Sequence, residues 1–197
     1  MQDVKVKVIV GSTRQQRFSE KPARWIYEEI KKEAGVQAEL LDLRDYPMPF
    51  FESPESPSRG NGKYADPAIQ KWADKINDAD AFIIVTPEYN HGYPAVLKNA
   101  LDVIFPEWNG KAVGFLSYGS AGGARSIEQL RQVVIELQML PIRNAISVPV
   151  DIYMKAMNAP ADPELFAPLR KGPYGDPVAK FFSQLIWSAK ALKVARR

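Results

Sequence analysis

The sequence predicts an α/β fold in which an open parallel sheet carries helices on both faces. Strand-like apolar runs alternate with segments of helical spacing five times along the chain, and no internal repeat accompanies the alternation. Two of the runs, residues 81–87 and 111–119, are almost continuously apolar, as strands covered on both faces must be.

Each element has its own signal. Residues 4–10 are rich in β-branched side chains and read as the first strand. Residues 18–34 place Trp25, Ile26, Ile30 and Ala34 at helical spacing, with Gly35 as the stop. A short apolar run at 38–43 is the second strand. Residues 44–67 are too rich in Pro, Ser and Gly for regular structure and read as a long surface loop. A domain linker is disfavoured, because two strands and one helix before it cannot build a core. The chain, 1–197, is therefore expected to be a single domain. Strand 81–87 leads to a helix at 94–105 with Pro94 in its first turn, then to strand 111–119. Ile127, Leu130, Val134 and Leu137 share one face of a helix at 126–140, and 142–150 is the fifth strand. An irregular segment at 151–176 precedes a last helix at 177–195, whose apolar stripe includes Phe181, Phe182, Leu185 and Ala189.

Composition narrows the chemistry. With 197 residues, 46% of them hydrophobic, the chain can bury one substantial core. No run reaches the eighteen or so apolar residues of a membrane span, and the charged start MQDVKVKVIV is unlike a secretory leader. A soluble, cytoplasmic protein is expected. The absence of Cys removes disulfides, thiolate nucleophiles and Cys-ligated metals, and His91 alone cannot build a His-rich site; an oxygen-ligated Mg or Ca site has no supporting motif, and no metal is expected. The net charge of +3 is spread among interspersed acids and bases up to the tail KALKVARR, which reads as a solvated helix end. No basic patch interleaves with aromatics, and nucleic acid is not an expected partner.

Ligands of open parallel sheets bind at the carboxyl ends of strands, which makes three loops informative. The first, GSTRQQRFS at 11–19, combines a turn glycine, the hydroxyls of Ser12, Thr13 and Ser19, the guanidinium groups of Arg14 and Arg17, and the N–H groups that open the next helix. That combination suits a phosphate monoester. It lacks the second glycine and the Lys-Ser/Thr pair of a Walker loop, and no G-x-G-x-x-G follows the strand. A loose match, GNGKYA at 60–65, sits in the long loop without a preceding strand and is set aside. From these residues alone, an N-capped helix with exposed arginines fits equally well. The second loop, TPEYNHGYP, offers Pro87, Glu88, Tyr89 and Asn90 to a planar polar ring, or is a tight turn filled by tyrosine. The third, SYGSAGGARS, brings Ser117, Tyr118, Gly119 and Ser120 with glycines that admit close approach, or is a flexible glycine turn.

Together the motifs GSTR…S, TPEYN…P..LKNA.D and SYGS.GG.R, in this order over about residues 4–150, resemble those of the NAD(P)H-dependent FMN reductase family, which includes quinone, azo-dye and chromate reductases. The resemblance implies a flavodoxin-like fold with strand order 2-1-3-4-5. It also implies bound FMN, with NAD(P)H as reductant and quinones, azo compounds, metal oxyanions or free flavin as acceptors. It places the phosphate in the loop of Ser12, Arg14, Arg17 and Ser19, with Thr13 and Phe18 also cofactor-binding, and the ring between Pro87, Glu88, Tyr89, Asn90 and Ser117, Tyr118, Gly119, Ser120. No catalytic side chain is implied, since the flavin carries the chemistry; N–H groups of the 88–90 and 118–120 turns are the expected donors to it. Tyr89, His91, Tyr93, Trp108 and Tyr118 are candidates to wall the substrate side. Homodimers or homotetramers are implied as well, with Tyr93, Val96, Leu97 and Trp108 as apolar surface around the helix at 94–105.

Two other classes share parts of this pattern. YGSAGG approaches a serine-hydrolase elbow, but His91 precedes Ser120 and such a hydrolase needs the opposite order. A flavodoxin-type electron carrier would share the fold, yet such carriers resemble strongly acidic proteins, and this chain is net positive with arginines in its first loop.

Overall fold

The computed structural model describes residues 3–196. A parallel sheet runs in the order β2-β1-β3-β4-β5, built from β1 (Val4–Val10), β2 (Val36–Asp42), β3 (Ala81–Pro87), β4 (Ala112–Tyr118) and β5 (Leu140–Pro141). This is the expected flavodoxin-like order. Helices α1 (Glu20–Ile30), α2 (Pro67–Asn77), α3 (Ala95–Asp102), α4 (Ala124–Glu136), α5 (Val150–Asn158) and α6 (Pro177–Ala195) surround it.

Strand alternation divides the interior into two cores. Val4, Val6, Val8 and Val10 of β1 face one side, where Ile83 and Val85 of β3 meet Ile26 of α1 and Phe181, Phe182 and Leu185 of α6. Ile9, Phe82, Ile84 and Phe115 face the other, against Trp72 of α2, Leu101 of α3 and Leu130 of α4. Nearly all of β3 and β4 is inaccessible to water, as their continuously apolar sequences require.

Two of the three Asp-Pro pairs start α-helices, and the third, Asp162-Pro163, opens a 3-10 stretch. Asp66 accepts from the N–H of Ala68 at 2.7 Å and Asp176 from that of Val178 at 2.8 Å, while Pro67 and Pro177 occupy the first turn, where no amide hydrogen is needed. The first pair opens α2, which the sequence reading does not name. The loop before it contains two short 3-10 turns, at Leu43–Asp45 and Pro57–Arg59. The fifth strand, expected at 142–150, is two pieces: β5 pairs with Ala112 and Val113, and β6 (Ile146–Val148) pairs with Leu116 to Tyr118. Between them Arg131 of α4 takes the carbonyls of Ile142 and Arg143 at 2.7 and 2.9 Å, which breaks the ladder. The segment 151–176, expected to be irregular, is mostly helical: α5 occupies its start and a 3-10 stretch runs from Pro163 to Arg170.

At the amino-terminal rim of the sheet, Asp80 accepts from the backbone of Lys5 at 2.9 Å, from Lys193 at 2.7 Å and from Arg196 at 2.8 Å. Lys193 also donates to the Asp3 carbonyl at 2.7 Å. Trp108 lies in a turn before β4, wholly buried, with its ring 4.9 Å from Phe82 and 6.0 Å from Trp72. It is core beneath the sheet and cannot wall a site at the carboxyl ends. Leu97 is likewise buried. Among the described residues no helix is long and apolar enough to cross a membrane, and no three His, Asp or Glu side chains gather as metal ligands.

α6 packs tightly on β4 at Gly114, where an added Cβ would lie 2.5 Å from the Phe181 ring. Gly114→Ala is therefore expected to force Phe181 aside and to cost about 1–3 kcal/mol, typical of overpacking. Urea denaturation of the variant checks this; an unchanged midpoint would show that α6 can shift freely.

Candidate functional site

The carboxyl ends of β1, β3 and β4 carry the three loops, and hydroxyl pairs tie them together. Ser12 Oγ and the Tyr89 hydroxyl are 3.1 Å apart, and Ser19 Oγ and the Tyr118 hydroxyl 2.7 Å. The Phe18 ring meets that of Tyr118 edge-on at 4.7 Å. Burial pushes the Tyr118 phenol well above its ordinary pKa; the bond to Ser19 opposes this, and the nearby Tyr89 and Tyr153 add to it. Tyr118 thus stays neutral and is part of the core.

Two arginines shape the first loop from behind. Arg17, buried, donates to the Ser12 carbonyl and forms a forked pair with Asp42 at the end of β2. Burial alone would raise the Asp42 carboxyl, but the Arg17 bonds and the N–H of Arg44 outweigh it and hold the group below its usual range. Arg44 donates to the carbonyls of Thr13, at 3.3 Å, and Arg14. A trans peptide points its C=O and N–H to opposite sides. With the carbonyls of Ser12, Thr13 and Arg14 drawn back, the N–H groups of Thr13, Arg14 and Gln15 face the other way. Those of Thr13 and Gln15 have no protein partner among the described residues, and that of Arg14 has only a 3.4 Å contact with Ser12 Oγ. This is an anion-binding concavity.

The roles within the loop differ from those expected. Arg17 is held by Asp42 and the Ser12 carbonyl, although it also lines the cavity beside this loop and its Nε has no partner among the described residues. Ser19 is fully buried and makes no side-chain cap, its hydroxyl being used on Tyr118. Phe18 is core. Arg14 is exposed, and its guanidinium has no protein partner among the described residues. A cavity of about 120 Å³ opens here, lined by Arg14, Lys21, Tyr89, Tyr118, Tyr153 and Met157, among others.

The second loop is a tight turn. Asn90 and His91 have φ of 50° and 68°, and Tyr89 and Gly92 exchange backbone bonds of 2.8 and 3.0 Å, as in a type I′ turn. α4 holds it in place: Ser126 donates to the Pro87 and Gly92 carbonyls, and Gln129 to that of His91. Glu88 is buried in an ion pair of 2.7 Å with Arg125. The N–H groups of Glu88 and Tyr89 are consumed within the protein, so two of the donors expected in this turn are not open. Those of Asn90, Gly119 and Ser120 have no protein partner among the described residues. In the third loop Ser117 donates to the Gly122 carbonyl at 2.7 Å, and Gly123, with φ of 77°, would bring a Cβ to 2.6 Å of Ser117. Its glycines therefore serve chain packing as well as access. Ser120 and His91, both exposed, share no hydrogen bond.

Sequence reasoning missed Asp42, Arg44, Lys21 and Tyr153. Their partners lie 25 to 138 positions away, and no local spacing announces them.

The family described as NADPH-dependent FMN reductase matches residues 4–151. The chain is 38% identical over 159 residues to an NAD(P)H-dependent FMN reductase of Schizosaccharomyces pombe, covering 80% of each. It is 33% identical over 142 residues to a quinone reductase of Pseudomonas putida, covering 68% of this chain and 71% of that one. In fold it is similar to the flavoenzyme NAD(P)H:(acceptor) oxidoreductase of Paracoccus denitrificans, with a TM-score of 0.66 at 22% identity over 95% of this chain and 98% of the other.

Asp42→Asn leaves Arg17 buried beside a neutral partner, and a loss of about 2–4 kcal/mol in urea denaturation is expected, moderated because Asp42 is 26% exposed. The pH dependence has a definite sign. Because the folded state lowers the Asp42 pKa from an ordinary 3.8, its contribution is complete above that value and is lost as pH falls through the folded one. Acid should therefore destabilise the native chain more than the variant as pH falls below 3.8. Equal acid sensitivity would remove Asp42 from this role.

Proposed function

The chain belongs to the NADPH-dependent FMN reductase family, and from that premise we propose that it is an oxidoreductase that binds FMN across these three loops. It would use NAD(P)H to reduce quinones and, at the same open site, azo compounds, metal oxyanions or free flavin. The observation that carries the reading is the set of unpaired N–H groups at Thr13, Gln15, Asn90, Gly119 and Ser120, all at the carboxyl ends of three adjacent strands.

The residues present fit the cofactor. The first loop, with Arg14 beside its free amides, would hold a dianionic phosphate. The turns at 87–90 and 117–120 would bear on the ring, with Asn90, Gly119 and Ser120 as donors to its electron-rich edge. FMN supplies, when bound, the two-electron chemistry that connects a reduced nicotinamide with an acceptor. The chain's own part is positional. Hydroxyl pairs and the α4 bonds fix the loops before any ligand arrives, so that little is lost in ordering them. No side-chain nucleophile or acid–base pair is assigned.

Self-association belongs to the proposal, as a homodimer or homotetramer. Of the apolar surface expected for it, Leu97 and Trp108 are buried and Tyr93 and Val96 half-buried, whereas Phe50 and Phe51 are 69% and 42% exposed. Asn99 straps that loop to α3 by accepting from the Phe51 N–H at 2.9 Å and donating to the Pro49 carbonyl at 2.8 Å.

Arg14→Ala should weaken FMN binding by about 1.5–3 kcal/mol and leave riboflavin, which has no phosphate, unaffected. Equal losses for both flavins would place Arg14 elsewhere. Steady-state kinetics with NAD(P)H and a quinone should give parallel double-reciprocal lines, since one site serves both in turn; intersecting lines would contradict a shared site. Light scattering should find a dimer or tetramer that Phe50→Asp with Phe51→Asp dissociates. A native monomer would overturn the self-association alone.

A further inference from the structure

The family-wide match stops at residue 151, yet the segment that follows enters the site. Helix α5 leaves β6 at the carboxyl edge of the sheet, and its far end comes to rest on the first turn of α1. There Lys21 donates to the carbonyls of Ala156 at 2.7 Å and Ala159 at 2.6 Å. These are the unpaired carbonyls of a helix end, where a cation is favourable. Lys21 is thereby committed to α5, and this side of the cavity is left without a free cation.

Tyr153 lies between. Its ring meets Phe18 edge-on at 4.8 Å and lies 5.6 Å from that of Tyr118, so residues of the first and third loops fix its direction. It lines the same cavity as Arg14 and Tyr89. The hydroxyls of the other two tyrosines there are paired with Ser12 and Ser19; that of Tyr153, half-buried, has no protein partner among the described residues. A phenol hydroxyl that is aligned by packing and short of an acceptor suits an anion that brings its own oxygens.

We propose that Tyr153 is a phosphate-binding residue of the flavin site, its hydroxyl donating to the phosphate monoester of FMN, with α5 as the strap that presents it. The proposal rests on FMN being the ligand. It assigns part of the phosphate shell to a segment beyond the family-wide match. Lys21 acts through α5 and is a positioning residue.

The test uses Tyr153→Phe, which keeps the ring and its packing. The full-length chain, stripped of flavin, is titrated with FMN and separately with riboflavin, following the quenching of flavin fluorescence. The FMN dissociation constant is expected to rise roughly tenfold, the size of one charge-assisted bond, with riboflavin binding unchanged. An unchanged FMN constant would overturn the proposal. A loss shared equally by both flavins would also overturn it, since the hydroxyl would then be acting on the fold. If the native chain binds neither flavin, the functional reading falls and this assignment with it; native binding with an indifferent variant leaves that reading intact and rejects only Tyr153.

Discussion

The site depends on the buried guanidinium of Arg17. A charge taken out of water must be matched, and this one is matched by the Asp42 carboxylate and the Ser12 carbonyl, which belong to different strands' ends. The match welds the loop after β1 to the end of β2. It also dictates which way the loop's peptides turn, and Arg44 extends the same pull over the next two carbonyls. Since a peptide cannot turn its carbonyl without turning its amide, an arrangement of cations on one side becomes an arrangement of donors on the other. The Arg17 Nε remains without a partner, the one blemish in an otherwise satisfied group.

From that fixed loop the order spreads outward. Ser12 and Ser19 pass it to Tyr89 and Tyr118, and α4 secures the second loop through Ser126, Gln129 and Arg125. Most of these links have a buried partner or a ring packed in a core, while the bond from Gln129 to His91 lies at the surface. Such links fix the position of the loops relative to the strands that carry them, which is what a site without catalytic side chains requires. Its only means of influence is where it holds things.

Much of this was legible in the sequence, for identifiable reasons. β3 and β4 announce themselves because burial on both faces leaves few polar positions, Thr86 and Ser117 among them. α6 is legible from its apolar stripe, and its bounds agree with the structure. The Asp-Pro caps at 66–67 and 176–177 are signals that the sequence reading does not use, and α2, at the end of a run of Pro, Ser and Gly, has no other as clear. Arg131 takes carbonyls at the break in the fifth strand and Lys21 those at the end of α5, long-range donors that local pattern cannot reveal. The site divides in the same way. Its loops were found by their motifs, but the motif could not say that, of two nearby arginines, Arg14 is open and Arg17 is spoken for.

The rim opposite the site has a consequence of its own. Lys193 reaches both Asp80 and the Asp3 carbonyl, so the first strand and the last helix are fastened side by side, with the whole sheet between them and the loops. The order in which the chain visits its strands is then separable from the architecture. A short bridge from residue 196 back to residue 3, with the backbone opened in the exposed stretch around residues 52–62, would preserve every strand pairing while giving the polypeptide a new start. In such a circular permutant the second strand would no longer precede the third in sequence. The rim, a place of ion pairs far from any ligand, is in that sense the molecule's seam.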